Sequence, residues 1–178
     1  MAYSNRIPGS SAWWRDYLLL VVLLLGCVTS ARSASFDVIE ERTYGDWRAV
    51  LYENKSGARR FCAAESEASD GTVFRIAVYL DDRDAFFEIF NPKWNLREAA
   101  ATFTLVFDDI RAELRGKAYS DAYVYNLVDQ EKTQLLLGLL IGNSTVSVQN
   151  ANGEVASRFS LRGSRDAIGS FAKCSGGL

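Results

Sequence analysis

The chain contains no histidine, and this absence excludes several kinds of chemistry. Its 178 residues also include only two prolines, one methionine and three cysteines. Without an imidazole, a Ser-His-Asp or Cys-His catalytic site, a histidine-ligated zinc site and an HExxH metalloprotease motif are all ruled out. We therefore predict that the protein is not an enzyme and that it needs neither a metal nor a cofactor.

A surplus of positive charge is also missing. Twenty Lys and Arg residues stand against 22 Asp and Glu, a net charge of −2. Proteins that bind nucleic acid usually carry a strong basic surplus, so we expect no nucleic-acid partner. Hydrophobic residues make up 48% of the chain and charged residues 24%, which is typical of a globular domain. The expected partner is a protein, or an envelope or glycan component.

The N-terminus has the pattern of a secretory signal peptide over residues 1–31. Arg6 and Arg15 precede an unbroken aliphatic run over 18–25. The apolar stretch is shorter than the roughly 20 residues that a membrane-spanning helix needs. Small residues follow, and they favour cleavage after Ala31. A permanently inserted anchor is the alternative interpretation.

A second processing route also fits the N-terminus. The segment Leu24–Cys27 resembles a bacterial lipobox, in which the cysteine becomes lipidated. Cys27 is therefore a candidate lipidation site that would tether the domain to a membrane. Both routes predict an exported protein that is periplasmic, extracellular or on the cell surface.

The other two cysteines, Cys62 and Cys174, predict a disulfide. Two cysteines in an exported domain most simply pair with each other. The bond would close a loop of more than a hundred residues, worth roughly 4 kcal/mol in the loop-entropy model. Two buried free thiols are the alternative.

The hydrophobic pattern predicts a mainly β domain over 43–174, after a short linker over 32–42 and before a tail over 175–178. Apolar and polar residues alternate through most of the domain, as in half-buried strands. Leucines at helical spacing predict a helix over 129–141, and a second helix is expected from Gly163 to Cys174. We expect a single antiparallel β-sandwich or flattened barrel of eight or nine strands with two short helices.

Five aromatic residues are candidates for a binding surface. Exported domains often recognise proteins or glycans through such rings. The alternative is that the rings cover a second sheet or a helix. The candidates are Tyr52, Tyr79, Trp94, Tyr123 and Tyr125.

The acidic segment 81–84 allows two interpretations. Asp81, Asp82 and Asp84 could ligate calcium, but the spacing and the intervening Arg83 favour a solvated turn. An acidic loop could also enter the basic cleft of a cell-wall hydrolase, so a secreted inhibitor is the second functional hypothesis. A hydrolase with paired carboxylates is a third.

Three short motifs resemble the invasion-associated locus B family of small exported bacterial proteins. They are Tyr44-Gly45-Asp46-Trp47, the segment from Arg158 to Ser164 and the terminal Phe171-Ala172-Lys173-Cys174. The resemblance implies a non-catalytic periplasmic or surface-associated β-sandwich, linked in some members to host-cell entry or envelope fitness. It implies no catalytic residues.

Overall fold

The computed structural model describes residues 36–176, which form a mainly β domain. The predicted signal peptide, Cys27 and the last two residues of the predicted tail lie outside this range. The strands are β1 (Phe36–Tyr44), β2 (Trp47–Asn54), β3 (Arg60–Glu67), β4 (Val73–Tyr79), β5 (Ala85–Phe90), β6 (Ala99–Phe107), β7 (Ile110–Ala118), β8 (Ala122–Asn126), β9 (Thr145–Gln149) and β10 (Val155–Ser160). The helices are α1 (Gln130–Gly142) and α2 (Ser164–Ser175).

All ten strands belong to one antiparallel sheet in the order β1-β2-β3-β4-β5-β8-β7-β6-β9-β10. The sheet curls until the beginning of β2 meets the end of β10, where Trp47 Nε1 donates to the Ser160 carbonyl at 2.8 Å. The prediction of a mainly β, flattened-barrel fold with two helices is confirmed. The barrel is a single curled sheet of ten strands, whereas eight or nine were predicted, because the exposed strand β1 has no apolar alternation to reveal it.

The main core fills the inner side of the curl. Alternate residues of each strand point inward, and the largest of them are fully buried, as the alternating pattern predicts. These buried side chains include Trp47, Phe74, Phe87, Phe103, Phe107 and Phe159.

Both helices close the inner side of the sheet. The Asp129 carboxylate caps α1 by accepting from Lys132 N at 3.1 Å, and the helix ends at Gly142, as the sequence predicts. Leu136 and Leu140 of α1 belong to the main core, as does Phe171 of α2. Neither described helix is long and apolar enough to cross a bilayer.

The disulfide between Cys62 and Cys174 is present in the structure and joins β3 to α2. The two residues are 112 positions apart in sequence, and their Cα atoms are 6.0 Å apart. Cys62 is fully buried in the main core, whereas Cys174 lies at the surface. The bond therefore fixes the C-terminal helix against the inner face of the sheet.

Strand β1 occupies most of the segment that the sequence suggested was a linker. It is an edge strand, and seven of its nine residues are exposed. Its backbone pairs with β2 from Phe36 to Tyr44, with a bulge at Ile39. Because neither face of the strand is buried, its sequence has no alternation of apolar and polar residues, and the strand could not be detected from that pattern.

Candidate functional site

The outer side of β1–β5 carries an aromatic cluster, which we call the aromatic face. Tyr52, Phe61 and Tyr79 lie opposite one another on β2, β3 and β4. The Tyr52 and Phe61 rings stack at 4.6 Å, and Tyr79 meets Phe61 edge-on at 5.5 Å. Phe36 and Phe86 extend the cluster at its two sides. The described helices pack on the inner side. On the outer side Phe36, Tyr79 and Phe86 are partly exposed, whereas Tyr52 and Phe61 are buried at 8% and 5% exposure.

Next to the aromatic face runs a row of charges of alternating sign, the charge ladder. It consists of Glu41, Arg48, Glu65, Arg75 and Glu88, one residue on each of β1–β5. The last four lie directly opposite one another in the strand register. The ion-pair distances are 3.6 Å for Glu41–Arg48, 2.6 Å for Arg48–Glu65, 2.6 Å for Glu65–Arg75 and 2.9 Å for Arg75–Glu88.

Glu65 is the centre of the ladder. Its side chain is 1% exposed, and it also accepts a hydrogen bond from Tyr52 Oη at 2.8 Å. The two guanidinium groups and the phenol satisfy the buried carboxylate, which would otherwise be costly to bury. Glu65 thereby links the charge ladder to the aromatic face.

Burial and charge shift the protonation of several ladder groups. Burial, followed by the charge of Glu65, raises the pKa of Tyr52 to about 12. Burial also raises the pKa of Glu88, although Arg75 opposes the shift. Burial lowers the pKa of Arg75, but the carboxylates of Glu65 and Glu88 outweigh this effect and hold it above its ordinary value. The arginine therefore stays charged, and every charge of the ladder has an oppositely charged neighbour.

Replacing Arg75 with methionine should lower the free energy of unfolding by about 3 kcal/mol, because Glu88 would lose its ion pair and buried Glu65 one of two. Arg115→Met serves as the control. It removes the ion pair between Arg115 and Glu113, and these two side chains are 84% and 56% exposed. We expect the control to change stability by less than about 1 kcal/mol. Urea unfolding measures the free energy of unfolding of both variants. Equal losses would show that the ladder does not stabilise the fold.

The five aromatic candidates from the sequence do not share one surface. Tyr52 and Tyr79 lie on the aromatic face. Trp94, Tyr123 and Tyr125 lie half-buried on the inner side, packed against the main core. Tyr123 contacts the rings of both Trp94 and Phe103. Two of the five candidates therefore lie on the outer side of the sheet, where Tyr79 is partly exposed and Tyr52 is buried.

Phe61 and Phe86 belong to the aromatic face but were not among the candidates. Phe61 directly precedes Cys62, whose inward position means that Phe61 must point outward. Similarly, Phe86 precedes the buried Phe87. The strict alternation of side chains along a strand was therefore a signal that could have identified both residues.

The acidic segment between β4 and β5 forms a surface turn that is ion-paired with Arg59, the residue before β3. Arg59 Nε lies 3.0 Å from Asp81 Oδ2, and its Nη2 lies 2.7 Å from Asp82 Oδ2. The same guanidinium stacks on the Tyr79 ring at 4.2 Å. Among residues 36–176, no group of three or more metal-ligating side chains is placed to hold an ion. Arg59 neutralises two of the carboxylates that an inhibitory loop would present.

Two of the sequence motifs meet where the curled sheet closes, a junction that we call the seam. The Asp46 amide donates to the Arg162 carbonyl at 2.9 Å, and the two side chains form a double contact at 2.6 and 3.1 Å. Gly45 and Gly163 have positive φ angles of 60° and 93°. A Cβ at Gly45 would lie 2.6 Å from the Arg162 carbonyl oxygen, and one at Gly163 would overlap the Tyr44 carbonyl. These motif residues therefore hold the edges of the sheet together.

A polar cleft of about 430 Å³ lies beside the seam. Arg48 and Glu65 of the charge ladder line one side, and Arg158 and Ser160 of β10 line the other. The cleft thus lies between the charge ladder on β2 and β3 and the outward-facing residues of β10.

Comparison with known proteins supports a distant structural relationship. No family model matches the chain, and no curated protein sequence matches it either. A solved structure that is similar is that of invasion associated protein B from Bartonella henselae, with a TM-score of 0.52 and 13% sequence identity. The match covers 77% of this chain and 97% of the other. At this identity the similarity shows that the two proteins share a fold.

Proposed function

We propose that the protein is an exported, non-catalytic binding protein of the cell envelope or cell surface, and that its aromatic face contacts a protein partner. A long-range disulfide is typical of exported proteins, which supports export. The fold shared with invasion associated protein B supports a role in host interaction and a distant relationship to that family.

The observation that carries the proposal is the uncovered aromatic face. Phe36, Tyr79 and Phe86 are half-buried, on a side of the sheet where polar residues would be expected in an open antiparallel sheet. Aromatic residues and arginines are enriched at the centres of protein interfaces. Tyr79 packs against the rings of Phe61 and Phe86 and against the Arg59 guanidinium, so binding would cost little side-chain entropy at this position.

Site-specific cross-linking tests this proposal. A photoreactive residue at position 79 should capture a defined protein from envelope or host-surface extracts. Tyr79→Ala/Phe86→Ala, with the photoreactive residue moved to position 36, should lower that capture at least tenfold. Tyr119→Ala removes an aromatic residue that is 38% exposed and lies outside the aromatic face, and it should leave the capture unchanged.

Circular dichroism and melting curves should show that all variants are folded. The proposal fails if the folded double variant captures the same protein as efficiently as the wild type. It also fails if Tyr119→Ala reduces capture to the same extent, since the effect would then not be specific to the aromatic face.

A further inference from the structure

The outer side of β6, β7, β9 and β10 differs in chemical character from that of β1–β5. On β7, Ala112 and Leu114 face the core, so Arg111, Glu113, Arg115 and Lys117 point outward. On β10, Phe159 is buried, and its neighbour Arg158 is exposed. Hydroxyl and amide side chains occupy most of the positions between these charges, and the aliphatic Val106 lies between Arg111 and Ser147. We define the basic face as Thr102, Thr104, Arg111, Glu113, Arg115, Lys117, Ser147, Gln149, Arg158 and Ser160.

Strand β9 brings two guanidinium groups close together on this face. Arg111 reaches across β6 and donates from Nη2 to Gln149 Oε1 at 2.6 Å. Arg158 donates from Nε to Ser147 Oγ at 3.1 Å. Ser147 and Gln149 are two residues apart on the same side of β9, a distance of about 7 Å along a strand. Both arginines therefore donate hydrogen bonds to uncharged side chains that are neighbours on the same side of β9.

The hydrogen bonding of these arginines contrasts with that of the arginines on and beside β2–β4. There, Arg48 and Arg75 contact the Glu65 carboxylate, and Arg59 contacts Asp81 and Asp82. Within residues 36–176, neither Arg111 nor Arg158 has a carboxylate at ion-pair distance. A guanidinium has five N–H donors, so most of the donors of both groups remain available to an anion.

We propose that the basic face binds an anionic polysaccharide, with Arg111 and Arg158 contacting its sulfate or carboxylate groups. The local positive charge, on a chain of net charge −2, provides the charge complementarity. The serine, threonine and glutamine side chains between the arginines can hydrogen-bond sugar hydroxyls.

A nucleic acid is a less suitable polyanion for this surface. No aromatic side chain of the described β6, β7, β9 or β10 points outward, so the basic face has no ring on which bases could stack. The face lies on the outer, convex side of the curled sheet, which suits an extended polymer better than an enclosed small molecule.

Binding to immobilised dextran sulfate tests the proposal on the full chain. The wild type should bind at low ionic strength, weaken as salt is added and ignore neutral dextran. Arg111→Gln/Arg158→Gln should bind at least tenfold more weakly. The matched control, Arg165→Gln/Lys173→Gln, removes the same charge from α2 and should bind within twofold of the wild type.

Three results would overturn the proposal. The first is that the wild type does not bind dextran sulfate, and the second is that the two double variants lose equal affinity. The third is that single-stranded DNA or phosphatidylglycerol vesicles bind as tightly, with the same dependence on Arg111 and Arg158. Because the basic face and the aromatic face lie on different strands, failure here leaves the cross-linking test unaffected.

Discussion

Replacing Gly163 with alanine is expected to destabilise the folded protein by about 3–5 kcal/mol. Two effects add at this position. A side chain at its φ of 93° is strained, and the new Cβ would overlap the Tyr44 carbonyl across the seam. Relief of the overlap would require the two edges of the sheet to separate, which would also disrupt the backbone hydrogen bond between Asp46 and Arg162.

Gly153→Ala is the matched control for this prediction. Gly153 has a similar φ of 81°, but no atom lies within 4 Å of a Cβ built there. The loss of stability in Gly153→Ala therefore measures the backbone strain alone, about 1–2 kcal/mol. Chemical denaturation of the two variants separates this strain from the steric overlap at the seam. If both variants lose the same stability, the close approach at the seam makes no contribution.

Loss of the disulfide should have a comparable effect. Cys62→Ala and Cys174→Ala should each lower the free energy of unfolding by about 4–5 kcal/mol, because the cross-link restricts an unfolded loop of more than a hundred residues. A Cys27→Ser background prevents exchange with the third cysteine. Melting curves under non-reducing conditions measure the loss.

A reductant provides the control for the disulfide. It should bring the wild type close to the stability of the Cys62→Ala/Cys174→Ala variant and leave that variant unchanged. If both single variants melt at the wild-type temperature without reductant, the cross-link does not stabilise the fold.

The sequence alone was sufficient for elements whose pattern depends on local chemistry. Strand β7 alternates strictly between apolar and charged residues because one side faces the core. Asp129 and Gly142 bound α1, since helix ends have specific hydrogen-bonding and conformational needs. The pairing of Cys62 with Cys174 followed from the cysteine count.

Orientation was harder to predict where both sides of a strand carry similar residues. Tyr123 and Tyr125 clearly share a side of β8, but Val124 between them is apolar too, so the pattern does not show which side is inward. Strand β1 is exposed on both sides and has no periodic pattern at all. The alternation of apolar and polar residues along a strand reflects burial. Burial depends on neighbouring segments that the local sequence does not specify.

The amino-acid sequence by itself determined a mainly β chain with two helices, an absence of histidine-based chemistry and one long-range cysteine pair. The tertiary structure alone decided how the strands align. Arg48, Glu65, Arg75 and Glu88 become a ladder only in the observed register. Arg111 and Gln149 meet only because β6 lies between β7 and β9. Register and strand order arise from contacts between distant segments, so the surfaces built from them cannot be read from any single segment.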